Sequence, residues 1–344
     1  MGELRTISME KSKLREEQLR KEQAMEERRK RELREKRRKQ QKIRFFAVWS
    51  FIILTGLLIV LLLVSAISNV FSGEEETTTA KKQNTNIVEI SFDPSSYIFT
   101  EDMYRYENSA EMLNKLSALK DDVNGYDKII DFMLSNEAAY PESLIKLVTK
   151  SPEALEFAVV YPFMQGESDS RTVDLTNDYK EGQIPYLMQW DSRWGYVVYG
   201  DDTIALDGCG PTCLSMVTVG LTGNVMWSPI RVARISMEQG YYVKGTGTAW
   251  ALMSEGCEKM GLKAKEIGLA KDEMINEITS GRPIIASMAP GDFTDAGHFI
   301  VIDEYKDGMF YVKDPNNKEN SQKGWTYDQL NGQIKNMWSY RVID

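Results

Sequence analysis

From Phe45 to Phe71 the chain runs 27 residues without a charged side chain, dominated by Leu, Ile and Val. As a helix rising roughly 1.5 Å per residue, such a stretch is about 40 Å long. That is enough to cross a hydrocarbon core of about 30 Å with some tilt. A secretory signal is the competing reading. Its apolar core is normally shorter, and its charged lead far shorter than the 44 residues that precede this run. The run therefore reads as an uncleaved signal anchor, and it divides the chain between two surroundings.

Charge gives the direction. Residues 1–44 hold 17 Lys+Arg and 9 Asp+Glu, a net +8, so the rest of a chain of net charge −9 stands at −17. Eleven basic residues crowd 28–44, directly before the span. Basic flanks stay on the cytoplasmic side and are attracted to anionic lipid headgroups. The expectation is a charged cytoplasmic tail over 1–44, a single-pass anchor in the cell membrane over 45–71, and an extracellular remainder. Apolar positions in the tail (Leu14, Leu19, Met25, Leu33) keep no heptad spacing, so a solvated helix or a disordered tail is the plain reading. Nothing aromatic or fold-like accompanies the basic run, and nucleic acid is not expected as a partner. Residues 72–98 read as a polar linker.

Residues 99–170 read as a helical region. Met112, Leu113, Leu116 and Leu119 recur at helical spacing, Asn124-Gly125 closes that run, and Ser151-Pro152 supplies an N-cap with a first-turn proline. Their apolar faces imply packing on the next domain; a pro-segment or a substrate arm are both open. Residues 180–344 read as an α+β domain able to bury its own core. Helices start at Cys209 (to near Gly223), at Ser228-Pro229, at a Thr248 cap (to Gly261) and over 271–280. Three strands come after them, Ile284–Met288, His298–Tyr305 and Met309–Lys313.

Three cysteines (Cys209, Cys213, Cys257) are few for a disulfide-held extracellular domain, and an odd count leaves a thiol free. A Cys213–Cys257 bridge is open; buried free thiols are the plainer reading. Cys209, in Asp207-Gly-Cys-Gly-Pro-Thr212, falls at the positive end of a helix, where a thiolate is favoured. The glycines on either side would leave room for a substrate carbonyl. The plain alternative is a small buried cysteine at a helix start, and Cys213, one turn on, reads as core.

His298 is the one histidine of 344 residues, 89 positions after Cys209, and Asp314 stands 16 residues beyond it. Thiolate, imidazole and a third polar group that holds the ring are what a thiol hydrolase needs. A three-residue Lys306-Asp307-Gly308 turn would set Ile300 opposite Asp314 and bring Asp314 onto the sheet face of His298; a two-residue turn would put it on the other. An oxyanion site asks for fixed donors. The backbone N–H of Cys209 is one, and Gln189 is the best-placed side chain upstream.

Four separated runs, Gln189-Trp-Asp-Ser-Arg-Trp194, Gly208-Cys-Gly-Pro-Thr-Cys-Leu-Ser-Met216, Gly297-His-Phe-Ile-Val-Ile302 and Asp314-Pro-Asn-Asn317, resemble the double-glycine (bacteriocin-leader) peptidase-like branch of the papain-like cysteine peptidases. The resemblance implies a papain-like fold, a cysteine-led helix packed on an antiparallel sheet, over about 184–340. It also implies Cys209 as nucleophile, His298 as base, Asp314 as the orienting residue and Gln189 in the oxyanion hole, with a protein or peptide substrate and no cofactor. Gly208 stands where such peptidases often carry Asp, and they usually sit on the cytosolic side of an export transporter. A cell-wall amidase or endopeptidase using the same triad, or a silent surface binding module, are the alternatives.

A zinc site from Cys209, Cys213, Cys257 and His298 has the right donors but poor spacing, so no metal is expected. Gly245-Thr-Gly-Thr-Ala-Trp250 lacks the lysine of a phosphate loop and reads as a tight turn beside the cleft. Asp292 and Asp295 read as solvated loop residues.

Overall fold

The computed structural model describes residues 92–166 and 171–343; the tail, the 45–71 span and residues 72–91 of the linker lie outside the described residues. Among the described residues no helix is long and apolar enough to cross a membrane.

Packing begins inside the stretch read as linker. Asp93 caps a 3-10 turn over Pro94–Ser96 by accepting from the Ser95 N–H at 3.0 Å. Phe92 lies edge-on to Phe132, ring centroids 5.2 Å apart. Helix α1 (Ala110–Asp122) starts at Ser109, whose hydroxyl accepts from the Met112 N–H. It ends before Gly125, whose φ of +86° only glycine adopts freely. Helices α2 (Asp127–Ser135), α3 (Glu142–Lys150) and α4 (Leu155–Val159) follow, with a last helical turn over Tyr161–Met164. Ser151 does not cap the turn after it. Its hydroxyl donates to the Asn316 carbonyl at 2.9 Å and ties the helices to the loop after Asp314. Leu116, Ile130, Met133, Leu144 and Val148 share one buried cluster with Met188, Trp190, Tyr196 and Ala205 of the next region. The core of the helical region is thus continuous with residues of the next region.

The C-terminal domain is α+β. Helix α5 (Cys209–Thr222) is buried almost all round and stops at Gly223, left-handed at φ +68°. Helices α6 (Pro229–Glu238) and α7 (Lys271–Thr279) form where the sequence placed them. Thr248 does not cap a helix: it ends a small hairpin, Tyr242–Val243 with Gly247–Thr248, and Ala249 caps Trp250–Ser254. That helix gives way to a 3-10 turn before Gly261.

Six strands form one antiparallel sheet: β1 (Leu262–Ile267), β2 (Ile284–Met288), β3 (His298–Lys306), β4 (Met309–Lys313), β5 (Gly324–Trp325) and β6 (Ile334–Val342). Their spatial order is β1-β6-β2-β3-β4-β5. The period-two alternation of strands sorts their side chains. Ile285, Phe299, Val301 and Trp338 pack with α5, whereas Ile284, Ile300, Ile302 and Met337 pack with Met274 and Ile278 of α7. Strands β1, β5 and β6 were not legible in the sequence, and β1 precedes α7, so the strands do not all follow the helices as expected. β1, Leu-Lys-Ala-Lys-Glu-Ile, is a charged edge strand with little apolar alternation.

Because the helical cluster is shared, it should unfold with the domain. Leu144→Ala, at a fully buried position, is expected to cost about 2–5 kcal/mol in one denaturant transition reported alike by helical signal and tryptophan fluorescence. Two separated transitions would show an independent helical unit.

Candidate active site

The β3–β4 hairpin determines where Asp314 goes, and it does so differently from expectation. The turn has two residues: Lys306 pairs with Met309, and Asp307 and Gly308 both take positive φ (+53° and +81°). Such primed turns match the twist of the strands and favour Asp-Gly. Alone, this turn would have put Asp314 on the wrong face. A bulge at Asp303 restores the register, since Glu304 pairs with Tyr311 but Ile302 with Val312 and Val301 with Lys313. Continued by one step, Ile300 stands opposite Asp314, so Asp314 and His298 share a face.

His298, at the first residue of β3, is 7 % exposed and Asp314 is fully buried. His298 Nε2 lies 2.7 Å from Asp314 Oδ1. The same Oδ1 accepts from the Asn316 N–H at 2.9 Å, and Oδ2 accepts from Asn320 Nδ2 at 2.8 Å. The Asp314 N–H donates to Ser321 Oγ, and its carbonyl accepts from the Tyr186 hydroxyl, both at 2.9 Å. Asn320 and Ser321 went unnoticed in the sequence. The signal was Asn317, three residues before Asn320, which caps the short helix Lys318–Ser321 and turns Asn320 back toward the carboxylate.

Cys209 is the first residue of α5, with Gly208 at the cap and Pro211 inside the first turn. It lines the same two hollows as His298, and its thiol acts electrostatically on that ring. With Nε2 taken by Asp314, Nδ1 is the nitrogen left for the sulfur. Burial opposes charge on this ring. The Asp314 carboxylate, by charge and hydrogen bond, and Cys209 outweigh it and push the imidazole pKa up to about 10. The flanking glycines do not open the space for a substrate that the sequence suggested. A Cβ on Gly208 would fall 2.5 Å from the Ile204 carbonyl oxygen, and one on Gly210 2.7 Å from three side-chain atoms of Thr248. They let the helix start press against its neighbours.

Gln189 is 2 % exposed. Its backbone N–H donates to the Pro315 carbonyl at 2.8 Å and its Nε2 to the Ala205 carbonyl at 2.5 Å, while Oε1 has no partner. Two hollows meet at the sulfur. One, of about 180 Å³, is lined by Cys209, His298, Gln189 and residues of α3 including Lys146 and Lys150. The other, of about 350 Å³, is lined by Cys209, His298, Thr246, Gly247, Thr248 and Trp250. The glycine-rich run at 245–250 thus borders the cleft, as read. Asp295 lies on the rim and accepts from both Lys146 and Lys150.

The other two thiols are elsewhere. All three cysteines are free. Cys213 donates to the Phe299 carbonyl at 3.2 Å and burial pushes its thiol far up; burial likewise takes Cys257 up to about 11. Among the described residues no group of three or more His, Cys, Asp or Glu side chains could hold a metal ion.

A free thiol and an imidazole that line one cleft, with a buried carboxylate bonded to the ring, are the groups a thiol hydrolase needs. Residues 181–342 match the Peptidase_C39 like family, so this part of the chain is a C39-like cysteine peptidase domain. Two solved structures are similar at low identity. The peptidase domain of Streptococcus ComA, a bi-functional ABC transporter involved in a quorum sensing pathway, is 15 % identical; the match covers 40 % of this chain and 93 % of that one at a TM-score of 0.33. A protein from Bacillus anthracis described as a C39-like peptidase is 18 % identical, covering 51 % of this chain and 100 % of that one at a TM-score of 0.30. No curated protein matches the chain.

Two measurements test the site. Gly210→Ala drives a methyl into Thr248, which is itself held at 2.8 Å by the Tyr199 hydroxyl. The expected loss is about 1–3 kcal/mol of stability, with slower alkylation of Cys209; an unchanged unfolding midpoint would contradict it. The single histidine gives one imidazole signal by NMR. Because its folded pKa is raised, the stability it contributes is complete below about pH 6.5, the ordinary imidazole range, and is lost as pH rises toward about 10. In Asp314→Asn, burial is left to dominate, and the ring should titrate below its ordinary range. A wild-type titration near pH 6.5 would refute the assignment.

Proposed function

We propose that the protein is a membrane-anchored cysteine peptidase that hydrolyses peptide bonds on the outer side of the cell membrane. Cys209 is the nucleophile, His298 the acid–base, Asp314 the residue that orients the ring, and Gln189 with the Cys209 N–H the oxyanion donors. The observation that carries this reading is the buried His298 ring, held by Asp314 on Nε2 and lining one open cleft together with Cys209. Anchoring and sidedness rest on the Phe45–Phe71 run and the basic residues before it.

The chemistry comes from the positions. The Cys209 thiolate attacks the amide carbon, a C–S bond forms, and the carbonyl π pair moves to oxygen, where the donors stabilise it. Collapse breaks the C–N bond, and the His298 imidazolium gives its Nδ1 proton to the departing amine. The neutral ring then takes a proton from water, the hydroxide attacks the thioester, and the C–S bond breaks to release the acid and regenerate the thiolate–imidazolium pair. Asp314 fixes the ring through Nε2 throughout and keeps Nδ1 aimed at sulfur.

Cys209→Ala is expected to lower peptide hydrolysis by about ten-thousandfold or more while leaving the protein folded. Surface proteins and wall fragments from cells carrying the native chain are compared with those from Cys209→Ala cells. New peptide termini that depend on Cys209 support the peptidase; Cys209-dependent changes in muropeptides with no new protein termini would replace it with a wall hydrolase. No difference in either would leave a binding module.

A further inference from the structure

Helix α3 lies outside the matched residues 181–342, yet its residues Ser143, Lys146, Leu147 and Lys150 line the hollow that holds Cys209, His298 and Gln189. The helix is fixed there. Ser151 at its end donates to the Asn316 carbonyl, Asn317 Nδ2 donates to the Lys150 carbonyl at 3.2 Å, and Leu144, Ile145 and Val148 are fully buried on its other side. It is a wall of the cleft and not a segment laid over it.

The two lysines and Asp295 line the hollow, whereas Glu142, at the start of α3, accepts from the Ser109 N–H and does not line it. Lys146 Nζ and Lys150 Nζ both approach the same oxygen, Asp295 Oδ2, at 2.8 and 2.9 Å. Two ammonium groups share one carboxylate, and one positive charge is left over. Lys115, nearby, is closed onto Glu111 at 2.8 Å. The acidic side chains Asp292 and Glu319 line the adjoining hollow and not this one. Both lysines are close to half exposed, 43 % and 47 %, so they are solvated and able to reorient toward an incoming anion. A second, independent feature of the same hollow is Gln189 Oε1, a buried acceptor with no partner in the protein. A buried acceptor without a donor is costly, and a backbone N–H from a bound peptide would satisfy it.

We propose that α3 supplies a carboxylate-selecting subsite, in which Lys146 and Lys150 favour peptides carrying an acidic group close to the bond that Cys209 attacks. This rests on the peptidase reading above. Asp295 occupies the subsite in the empty cleft and is the internal anion that a substrate carboxylate supplements, so discrimination is of the modest size that partly exposed charge pairs reach.

Two readouts test it on the full chain. The first is alkylation of Cys209 by iodoacetate and by iodoacetamide, which share a reacting carbon and differ in charge. Cys213 and Cys257 are fully buried, so alkylation of the folded protein reports Cys209. In Lys146→Gln/Lys150→Gln the iodoacetate-to-iodoacetamide rate ratio is expected to fall about three- to fivefold. In Asp295→Asn, which keeps both ammonium groups and removes their shared anion, it is expected to rise by about as much. The second readout is cleavage of a proteome-derived peptide library. Cuts by the native chain should be enriched in Asp or Glu at one position beside the scissile bond, and the double lysine variant should lose that enrichment. Enrichment of cuts near chain ends instead would assign the carboxylate to the peptide C-terminus. A ratio unmoved by the lysine substitutions, or a cleavage pattern indifferent to them, overturns the subsite while leaving the peptidase reading intact. Failure of the native chain to cut any peptide, or a Cys209 inert to both reagents, overturns the peptidase reading itself and the subsite with it.

Discussion

Burying the His298–Asp314 pair sets the terms for everything around it. Taking an imidazolium and a carboxylate out of water is costly, and their attraction offsets that cost only when the remaining lone pairs and protons are also satisfied. Asp314 is completely enclosed, so each oxygen needs donors: His298 and the Asn316 N–H on Oδ1, Asn320 on Oδ2. Much of the structure after β4 exists to provide them. Pro315 and the Asn317 cap bend the chain into one helical turn, which brings Asn320 inward, and the Trp325 indole N–H then holds the Asn320 carbonyl at 2.9 Å. A buried carboxylate with donors on both oxygens fixes a single orientation of the ring.

The other half of the site is built by close approach. Gly208 and Gly210 bring the start of α5 against Ile204 and Thr248, and the hydroxyl of Tyr199 holds Thr248 and Ser236 together beneath it, each at 2.8 Å. The loop leading into His298 is pinned by Gln333, the residue just before β6. The Gln333 carbonyl accepts from the Ala289 N–H at 2.6 Å, and its side chain accepts from the Asp292 N–H at 2.6 Å while donating to the Asp292 carboxylate at 2.7 Å. Cysteine and histidine are thus each fixed by a different part of the fold, and neither depends on the other to stay in place. The helical region joins this frame through the shared cluster of Trp190, Tyr196 and Leu144 and through Ser151. That is why its third helix can serve as a cleft wall.

What the residues themselves determined is the list of reacting groups and the local elements that carry them. A cysteine before Gly-Pro at a helix start, the lone histidine at the head of an apolar strand, and an aspartate at the end of its hairpin partner all arise from capping preferences and period-two patterning, which depend on neighbours a few residues away. The charge asymmetry about Phe45–Phe71 is equally local. Tertiary structure alone decided the rest. The two-residue turn and the Asp303 bulge jointly placed Asp314 on the face of His298, and a bulge has no reliable mark in sequence because it is fixed by how both strands pack. Strand β1 formed because β6 was there to pair with it, Asn320 mattered because a buried carboxylate lay within reach, and Gly210 was needed because Thr248 arrived from far along the chain. Local chemistry names the groups, whereas register, distance and burial come from contacts between segments a hundred residues apart, whose free energy no single segment contains.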